Sequence, residues 1–122
     1  MSHITGIGGI FFKARNPEAL RVWYSRHLGI SFEEWGGSFF RWDGQGSTTF
    51  ALFKQDTDYF APGTASFMIN FRVKDLAGLL AQLRTAGVQV EDKQETSELG
   101  TFAWILDPEG NKVELWEPGP GC

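Results

Sequence analysis

The chain has 122 residues, of which 42% are hydrophobic and 21% charged, and this length fits one domain with a substantial core. The net charge is −4 at pH 7, and no basic stretch is long enough to follow a phosphate backbone, so we expect no nucleic-acid partner. The single cysteine, Cys122, excludes an intrachain disulfide and a thiolate metal cluster. The chain also lacks a signal-peptide pattern and a long apolar run, so we expect a cytoplasmic protein without a membrane partner.

The first half of the chain is predicted to contain one helix among short strands. Residues 6–14 are apolar and partly aromatic, which predicts a strand. Asn16 precedes a proline, apolar residues then recur at helical spacing, and Gly29 follows, so a helix is predicted over 17–28. The polar stretch 55–64 is predicted to be a linker. Glycine-containing turns separate three further predicted strands: 30–35, 38–43 and 48–54.

The second half repeats this order of elements. It reads as a strand over 66–73, a helix over about 76–86 and three more short strands: 88–95, 101–106 and 111–117. The turns Asp43-Gly44-Gln45-Gly46 and Asp107-Pro108-Glu109-Gly110 occupy matching places in the two halves. We therefore predict two β-α-β-β-β modules, about 4–54 and 65–117, within a single domain over 1–122.

The fold class that follows from two such modules is α+β. A unit of about 60 residues can bury only one face of its sheet alone, so the two modules are expected to combine their sheets. The expected product is one curved, cup-like mixed sheet with the helices on its convex side.

The order of modules is accompanied by a specific C-terminal segment, Asp107-Pro108-Glu109-Gly110-Asn111-Lys112-Val113-Glu114-Leu115-Trp116-Glu117. With the helix that carries Trp23-Tyr24, this segment resembles the vicinal oxygen chelate superfamily, which includes glyoxalase I, bleomycin-resistance proteins, extradiol dioxygenases and epimerases. The resemblance covers nearly the whole chain. It implies the paired-module fold and a homodimer, the commonest form of oligomer.

In metal-using members of that superfamily, four strand positions supply ligands to the cup. The resemblance places them at Gly9, Ala51, Met68 and Glu114 in this chain. Glu114 alone offers an oxygen donor, and Met68 offers a soft thioether, so we expect no metal and no other cofactor. His3, near the start of the chain, and His27, on the predicted helix, are expected to lie outside the cup.

Strand alternation predicts which side chains line the cup. Val113 and Leu115 are expected to pack beneath the helices, and Glu114 to face the cup as the candidate catalytic residue. Two simpler interpretations remain: Glu114 could pair with Arg72 or Lys112 and hold the strands in register, and Trp104 and Trp116 could be core or dimer-interface aromatics. The residues predicted to bind a small-molecule ligand are Phe11, Phe53, Met68, Asn70, Arg72, Lys112, Glu114 and Trp116.

Two functions fit such a cup. The resemblance to bleomycin-resistance proteins implies a metal-independent protein that sequesters an aromatic or amphiphilic small molecule. The alternative is a lyase, isomerase or epimerase of the same superfamily, with Glu114 as general base and Arg72 or Lys112 stabilising an oxyanion. Binding is favoured, because one cation beside one carboxylate is a poor replacement for a metal electrophile.

Overall fold

A computed structural model describes residues 3, 7–42, 44 and 46–122 of the chain. Within these residues lie two helices, α1 (Pro17–Leu28) and α2 (Leu76–Thr85), and four strands: β1 (Ile69–Arg72), β2 (Glu95–Ser97), β3 (Gly100–Leu106) and β4 (Lys112–Pro118). The strands form one open mixed sheet in the order β1-β4-β3-β2. Strand β1 runs parallel to β4, and the other neighbouring pairs are antiparallel. The predicted α+β class is confirmed.

Helix α1 begins and ends where the sequence predicts. The Asn16 side chain accepts a hydrogen bond from the backbone N–H of Ala19 at 3.1 Å, and a proline occupies the first turn. Gly29 ends the helix with φ 68°, a left-handed conformation that glycine adopts without steric cost. The carboxylate of Glu109 accepts hydrogen bonds from the N–H groups of Arg15 and Asn16, at 2.7 and 2.9 Å, and so joins the turn before β4 to the start of α1.

The core lies between the two helices and one face of the sheet. Helix α2 contributes three leucines, and β3 and β4 contribute the side chains that point toward the helices. Val113 and Leu115 are each 1% exposed, as alternation along β4 predicts. The buried members of the core are Leu20, Tyr24, Leu76, Leu80, Leu83, Ala103, Ile105, Val113 and Leu115.

The second half of the chain follows the predicted β-α-β-β-β order, with one correction. The strand predicted over 88–95 is wrong in position, because Val90 makes an isolated bridge to Ile105 and β2 begins at Glu95. The reason is the tight turn ahead of Gly100, which has φ 121° and pairs with Ser97. This turn sets the register of the β2–β3 hairpin, so β2 lies near the turn and further along the chain than predicted.

The first half differs more from the prediction. Among its described residues, none of the strands predicted within 6–54 is present as a paired strand. A strand persists when its backbone groups pair with a neighbour, and these segments instead leave large apolar side chains in solvent, such as Phe11 at 89% and Leu52 at 87% exposure. Sequence alternation predicted local extension but could not supply a pairing partner. The division of the chain into two modules stays a prediction.

Some predicted features lie outside the described residues. They are the start of the first predicted strand at residue 6, and positions 43 and 45 of the turn predicted over 43–46. Neither α1 nor α2, the helices of the described residues, has the length and apolar character of a membrane-spanning helix.

Candidate functional site

Strand β4 lies between β1 and β3 and carries the candidate site on the sheet face that points away from the helices. Alternation along the strand puts Lys112, Glu114 and Trp116 on this face, as predicted. Glu114 is 7% exposed, which is unusual for a carboxylate. The groups that contact the Glu114 carboxylate therefore determine the chemistry of this face of the sheet.

Glu114 accepts hydrogen bonds from three uncharged donors. Asn70 Nδ2 donates to Oε1 at 2.7 Å, while Trp104 Nε1 and the Tyr59 hydroxyl donate to Oε2 at 2.9 and 2.7 Å. Asn70 and Trp104 stand directly opposite Glu114 on β1 and β3, so the sheet register builds this arrangement. Uncharged donors thus compensate for the burial of this carboxylate.

Lys112 lies beside this cluster, but its ammonium is bound to other groups. Its Nζ donates to the backbone carbonyls of Tyr59 and Ala61, at 2.7 and 3.1 Å, and lies 3.7 Å from a carboxylate oxygen of Glu91. The same nitrogen is 5.3 Å from the ring centres of both Tyr59 and Trp104, which adds cation–π attraction. Lys112 therefore fixes the segment that contains Tyr59 against the sheet.

Aromatic rings surround the carboxylate. The Tyr59 ring stacks on Phe53 with centres 5.5 Å apart and stands at 87° to Trp104. Two residues after Glu114 on β4, the Trp116 ring stacks on Phe102 of β3 with ring centres 5.9 Å apart. The indole N–H of Trp116 donates to the carbonyl of Leu99. The site is thus a polar centre with apolar walls, the usual composition of a small-molecule site.

The two tyrosines of the chain are both held in their neutral form. Burial and the hydrogen bond to Glu114 raise the pKa of Tyr59 well above its ordinary value of 10.0. Burial and the neighbouring Asp107 also raise the pKa of Tyr24 above this value. Tyr59 is therefore a hydrogen-bond donor to Glu114 throughout the physiological pH range.

The structure brings some of the predicted site residues together. Phe53, Asn70, Lys112 and Glu114 belong to the cluster just described. Arg72 and Trp116 form an adjacent pair, with the guanidinium 5.8 Å from the indole centre. Met68 is half-buried just before β1. Phe11 is exposed and makes no ring contact with the described residues.

The interpretation of Glu114 as a strand-pairing ion also needs correction. Among the described residues, the salt bridges of the structure do not include Glu114, and Lys112 pairs with Glu91 instead. Glu114 does tie neighbouring strands together, but it does so through the amide of Asn70 and the indole of Trp104.

Sequence reasoning missed Tyr59 as a site residue and assigned Trp104 to a core or an interface. Trp104 is 2% exposed, so it is buried, and its N–H also reaches the site. The turn before β4 pairs Leu106 with Lys112, so counting back two residues would have placed Trp104 opposite Glu114. Tyr59 lies in an irregular segment, where no periodicity indicates which way a side chain points.

The four positions predicted to correspond to metal ligands do not form a donor set. Gly9 and Ala51 are exposed, Met68 is half-buried, and the oxygens of Glu114 already accept three hydrogen bonds. Among the described residues, no three His, Cys, Asp or Glu side chains are grouped so that they could hold a metal ion. His27 lies on α1, with its ring 5.2 Å from that of Trp23. These residues do not fit a bound metal.

Two cavities lie elsewhere, beside the end of α1. One has a volume of about 400 Å³ and reaches Phe71 and Leu115 on the helix side of the sheet. The other, of about 530 Å³, shares Phe40 with it. Glu114 lines neither of these two cavities.

A family model described as a glyoxalase-like domain matches residues 9–116. No curated protein matches the chain. A solved structure of the trypanothione-dependent glyoxalase I of Leishmania major is 26% identical over 53% of this chain and 40% of that one, with a TM-score of 0.36. The chain thus spans less than half the length of that protein. Because the family model covers most of the sequence, the chain belongs to the glyoxalase-like domain family, within the vicinal oxygen chelate superfamily.

Proposed function

We propose that this protein is a metal-independent small-molecule-binding protein of the glyoxalase/bleomycin-resistance type, which sequesters an aromatic or amphiphilic ligand on the Glu114 face. The observation that carries the proposal is the buried carboxylate of Glu114, held by three uncharged donors among aromatic rings. A ligand group that replaces one of these donors is oriented by its hydrogen bond to Glu114, while Phe53 and the other rings contact the apolar part of the ligand.

Metal independence is supported by the donor chemistry of the four ligand-equivalent positions. Glycine and alanine have no donor atom, and a thioether is a poor ligand for Zn²⁺, Ni²⁺ or Mn²⁺. A single carboxylate cannot hold a divalent ion against water. The proposed binding function therefore involves no metal.

The contacts of Glu114 and Lys112 favour binding over acid–base catalysis. A general base needs a lone pair directed at the substrate proton, whereas Glu114 directs its oxygens at Tyr59, Asn70 and Trp104. An oxyanion needs donors that are free to receive it, whereas Lys112 donates to two backbone carbonyls.

We further propose that the protein works as a homodimer. The first half of the chain exposes a series of large apolar side chains, including Phe11, Trp42 and Leu52, which are 77% exposed or more. Large apolar side chains that a single chain leaves in water are typical of an interface with a second copy. Size-exclusion chromatography with light scattering should give about 27 kDa, twice the 13.7 kDa of one chain. A mass near 13.7 kDa at working concentration would refute the dimer.

The binding function is tested by a thermal-shift screen of metabolites and antibiotics. A ligand present at 100 times its dissociation constant stabilises the folded protein by roughly 2.7 kcal/mol. We expect at least one aromatic or amphiphilic compound to raise Tm, and Glu114→Gln to reduce that rise. A screen without such a compound, or a rise that is identical in Glu114→Gln, would contradict the proposal.

A further inference from the structure

The segment around Tyr59 crosses the Glu114 face and is fixed there at several points. We call residues 57–61 the strap. Lys112 holds its backbone through the carbonyls of Tyr59 and Ala61, and Glu114 holds the hydroxyl of Tyr59 at 2.7 Å. Short local hydrogen bonds shape the strap itself, among them Tyr59 N–H to Thr57 Oγ1 at 3.2 Å.

The phenol ring of Tyr59 makes the contacts that a bound aromatic molecule would make. Its hydroxyl donates to a buried carboxylate, and its face stacks on Phe53 with an interplanar angle of 24°. It stands perpendicular to Trp104, and the Lys112 ammonium lies 5.3 Å from its centre. The residue is only half-buried, and Phe53 is 48% exposed, so solvent reaches this place.

We propose that Tyr59 occupies the ligand position in the resting protein, and that the natural ligand is a phenol or similar hydroxylated aromatic compound that displaces the strap. This inference rests on the proposed binding function and names the ligand class for the same site. The four contacts just described are the recognition elements: an acceptor, a stacking ring, a perpendicular ring and a cation near the ring face.

The charges around the site favour a neutral phenol over charged aromatics. An aromatic acid would bring a second negative charge beside that of Glu114. The repulsion between the two carboxylates is strong at a partly buried site. An aromatic compound with an alkylammonium group would bring a positive charge toward the ammonium of Lys112. A neutral hydroxyl replaces that of Tyr59 without changing the charge of the site.

Displacement of an internal group also predicts weak binding to the unmodified protein. Tyr59 is tethered next to Glu114, so its effective concentration is high and a free phenol must compete with it. The observed affinity is lowered by the small fraction of molecules in which the strap is open. Weakening the Tyr59 contact should therefore strengthen binding.

The test uses 4-methylphenol, which reproduces the tyrosine side chain, and 4-methylanisole, which keeps the ring and oxygen but lacks the donor. Affinities are measured by NMR titration for the wild type, for Tyr59→Phe, and for Tyr59→Phe combined with Glu114→Gln. Tyr59→Phe keeps the ring and frees one acceptor position, so we expect 4-methylphenol to bind about tenfold more tightly. In the Tyr59→Phe background, where no tyrosine hydroxyl competes, adding Glu114→Gln should weaken binding of 4-methylphenol about tenfold. The affinity for 4-methylanisole should differ little among the proteins.

Tyr24→Phe is the matched control. It removes the other tyrosine hydroxyl of the chain, which donates to Asp107 at 2.8 Å on the helix side of the sheet. Its affinity for 4-methylphenol should equal that of the wild type. Hydrogen exchange supplies a second readout: 4-methylphenol should accelerate exchange of residues 57–61 in the wild type, because the strap is released.

Three results would overturn the inference. They are equal affinity in the wild type and Tyr59→Phe, strap amides that exchange more slowly when 4-methylphenol is bound, and binding that is seen only after Tyr59→Ala has created a cavity. The last result would make Tyr59 a structural tie. If the thermal-shift screen still yields a ligand that depends on Glu114 while the strap stays closed, the binding function stands and this inference alone fails.

Discussion

At the scale of single residues, Glu114 shows how a buried carboxylate is held by uncharged donors, since no salt bridge among the described residues includes it. Leaving a buried donor unpaired costs about 1 to 3 kcal/mol, so the three groups that donate to Glu114 depend on it as much as it depends on them. The carboxylate is consequently a structural centre as well as a candidate ligand contact.

Replacing Glu114 with leucine is expected to destabilise the protein by about 2 to 4 kcal/mol, because Tyr59, Asn70 and Trp104 lose their shared acceptor. Urea unfolding followed by tryptophan fluorescence measures this loss. Glu91→Gln is the control, since Glu91 is partly exposed and 3.7 Å from Lys112. It should cost under about 1 kcal/mol. Equal losses in the two variants would show that the three hydrogen bonds contribute little.

The two tyrosines predict a loss of stability in alkali. Their pKa values are raised in the folded chain above 10.0, so above pH 10 the folded state binds more protons than the unfolded state. The two tyrosines therefore contribute their full stabilisation below pH 10, and the free energy of unfolding falls as the pH rises above 10. A titration followed at 295 nm should show little tyrosinate at pH 10.5 in the folded protein, and about two ionised tyrosines per chain in 8 M urea at higher pH. Normal titration of either tyrosine in the folded state would contradict the assigned contacts.

At the scale of elements, the turn from Asp107 to Asn111 joins the sheet to α1. Asp107 Oδ1 accepts from the N–H groups of Glu109 and Asn111, as is typical of the first residue of a turn, and Oδ2 accepts from the hydroxyl of Tyr24. Asp107 is 5% exposed, so these bonds form away from water. The turn therefore sets both the register of β4 and the position of α1.

Asp107→Ala is expected to cost about 3 kcal/mol, because it removes the acceptor of two backbone amides and one buried hydroxyl. Tyr24→Phe removes one of these bonds and should cost about 1 kcal/mol. Thermal unfolding of both variants measures the difference. A larger effect of Tyr24→Phe than of Asp107→Ala would mean that Asp107 does not organise the turn.

Elements with strong local signals could be predicted from the sequence, whereas those that depend on distant partners could not. Helix α1 has a cap at each end and matches its prediction at both termini. Strand β4 alternates clearly, and the orientation of Glu114 followed from it. The predicted strands of the first half required a pairing partner that alternation does not specify. Tyr59 reaches the site through a loop path, which local sequence does not determine.

At the scale of the whole molecule, the two halves of the chain have different organisation. The second half contains the sheet, α2 and most of the core, while the first half contributes α1 and exposes many of its aromatic side chains. This asymmetry supports the proposed dimer, because a second copy would cover surface that a single chain leaves in water.

The proposal of metal independence makes a prediction for the whole protein. After dialysis against Ni²⁺, Zn²⁺, Fe²⁺ or Mn²⁺, elemental analysis should find less than one metal ion per chain, and glyoxalase I and ring-cleavage activities should be missing. Replacing Gly9, Ala51 and Met68 with His, Glu and His should create weak metal affinity if the four positions do converge. One metal per wild-type chain, lost in Glu114→Ala, would show that other donors reach the cup.

The central place of β4 has a consequence for the rates at which parts of this protein open. Strand β4 is paired on both sides, by β1 and β3, so its amides should exchange only when the whole fold opens. The strap carries no such pairing and can open while the sheet stays intact. Glu114, on β4, thus keeps its position for as long as the protein is folded, whereas Tyr59 can leave and return to the site with the strap on a much shorter timescale. Ligand entry and global unfolding are therefore expected to be independent events, with separate rates.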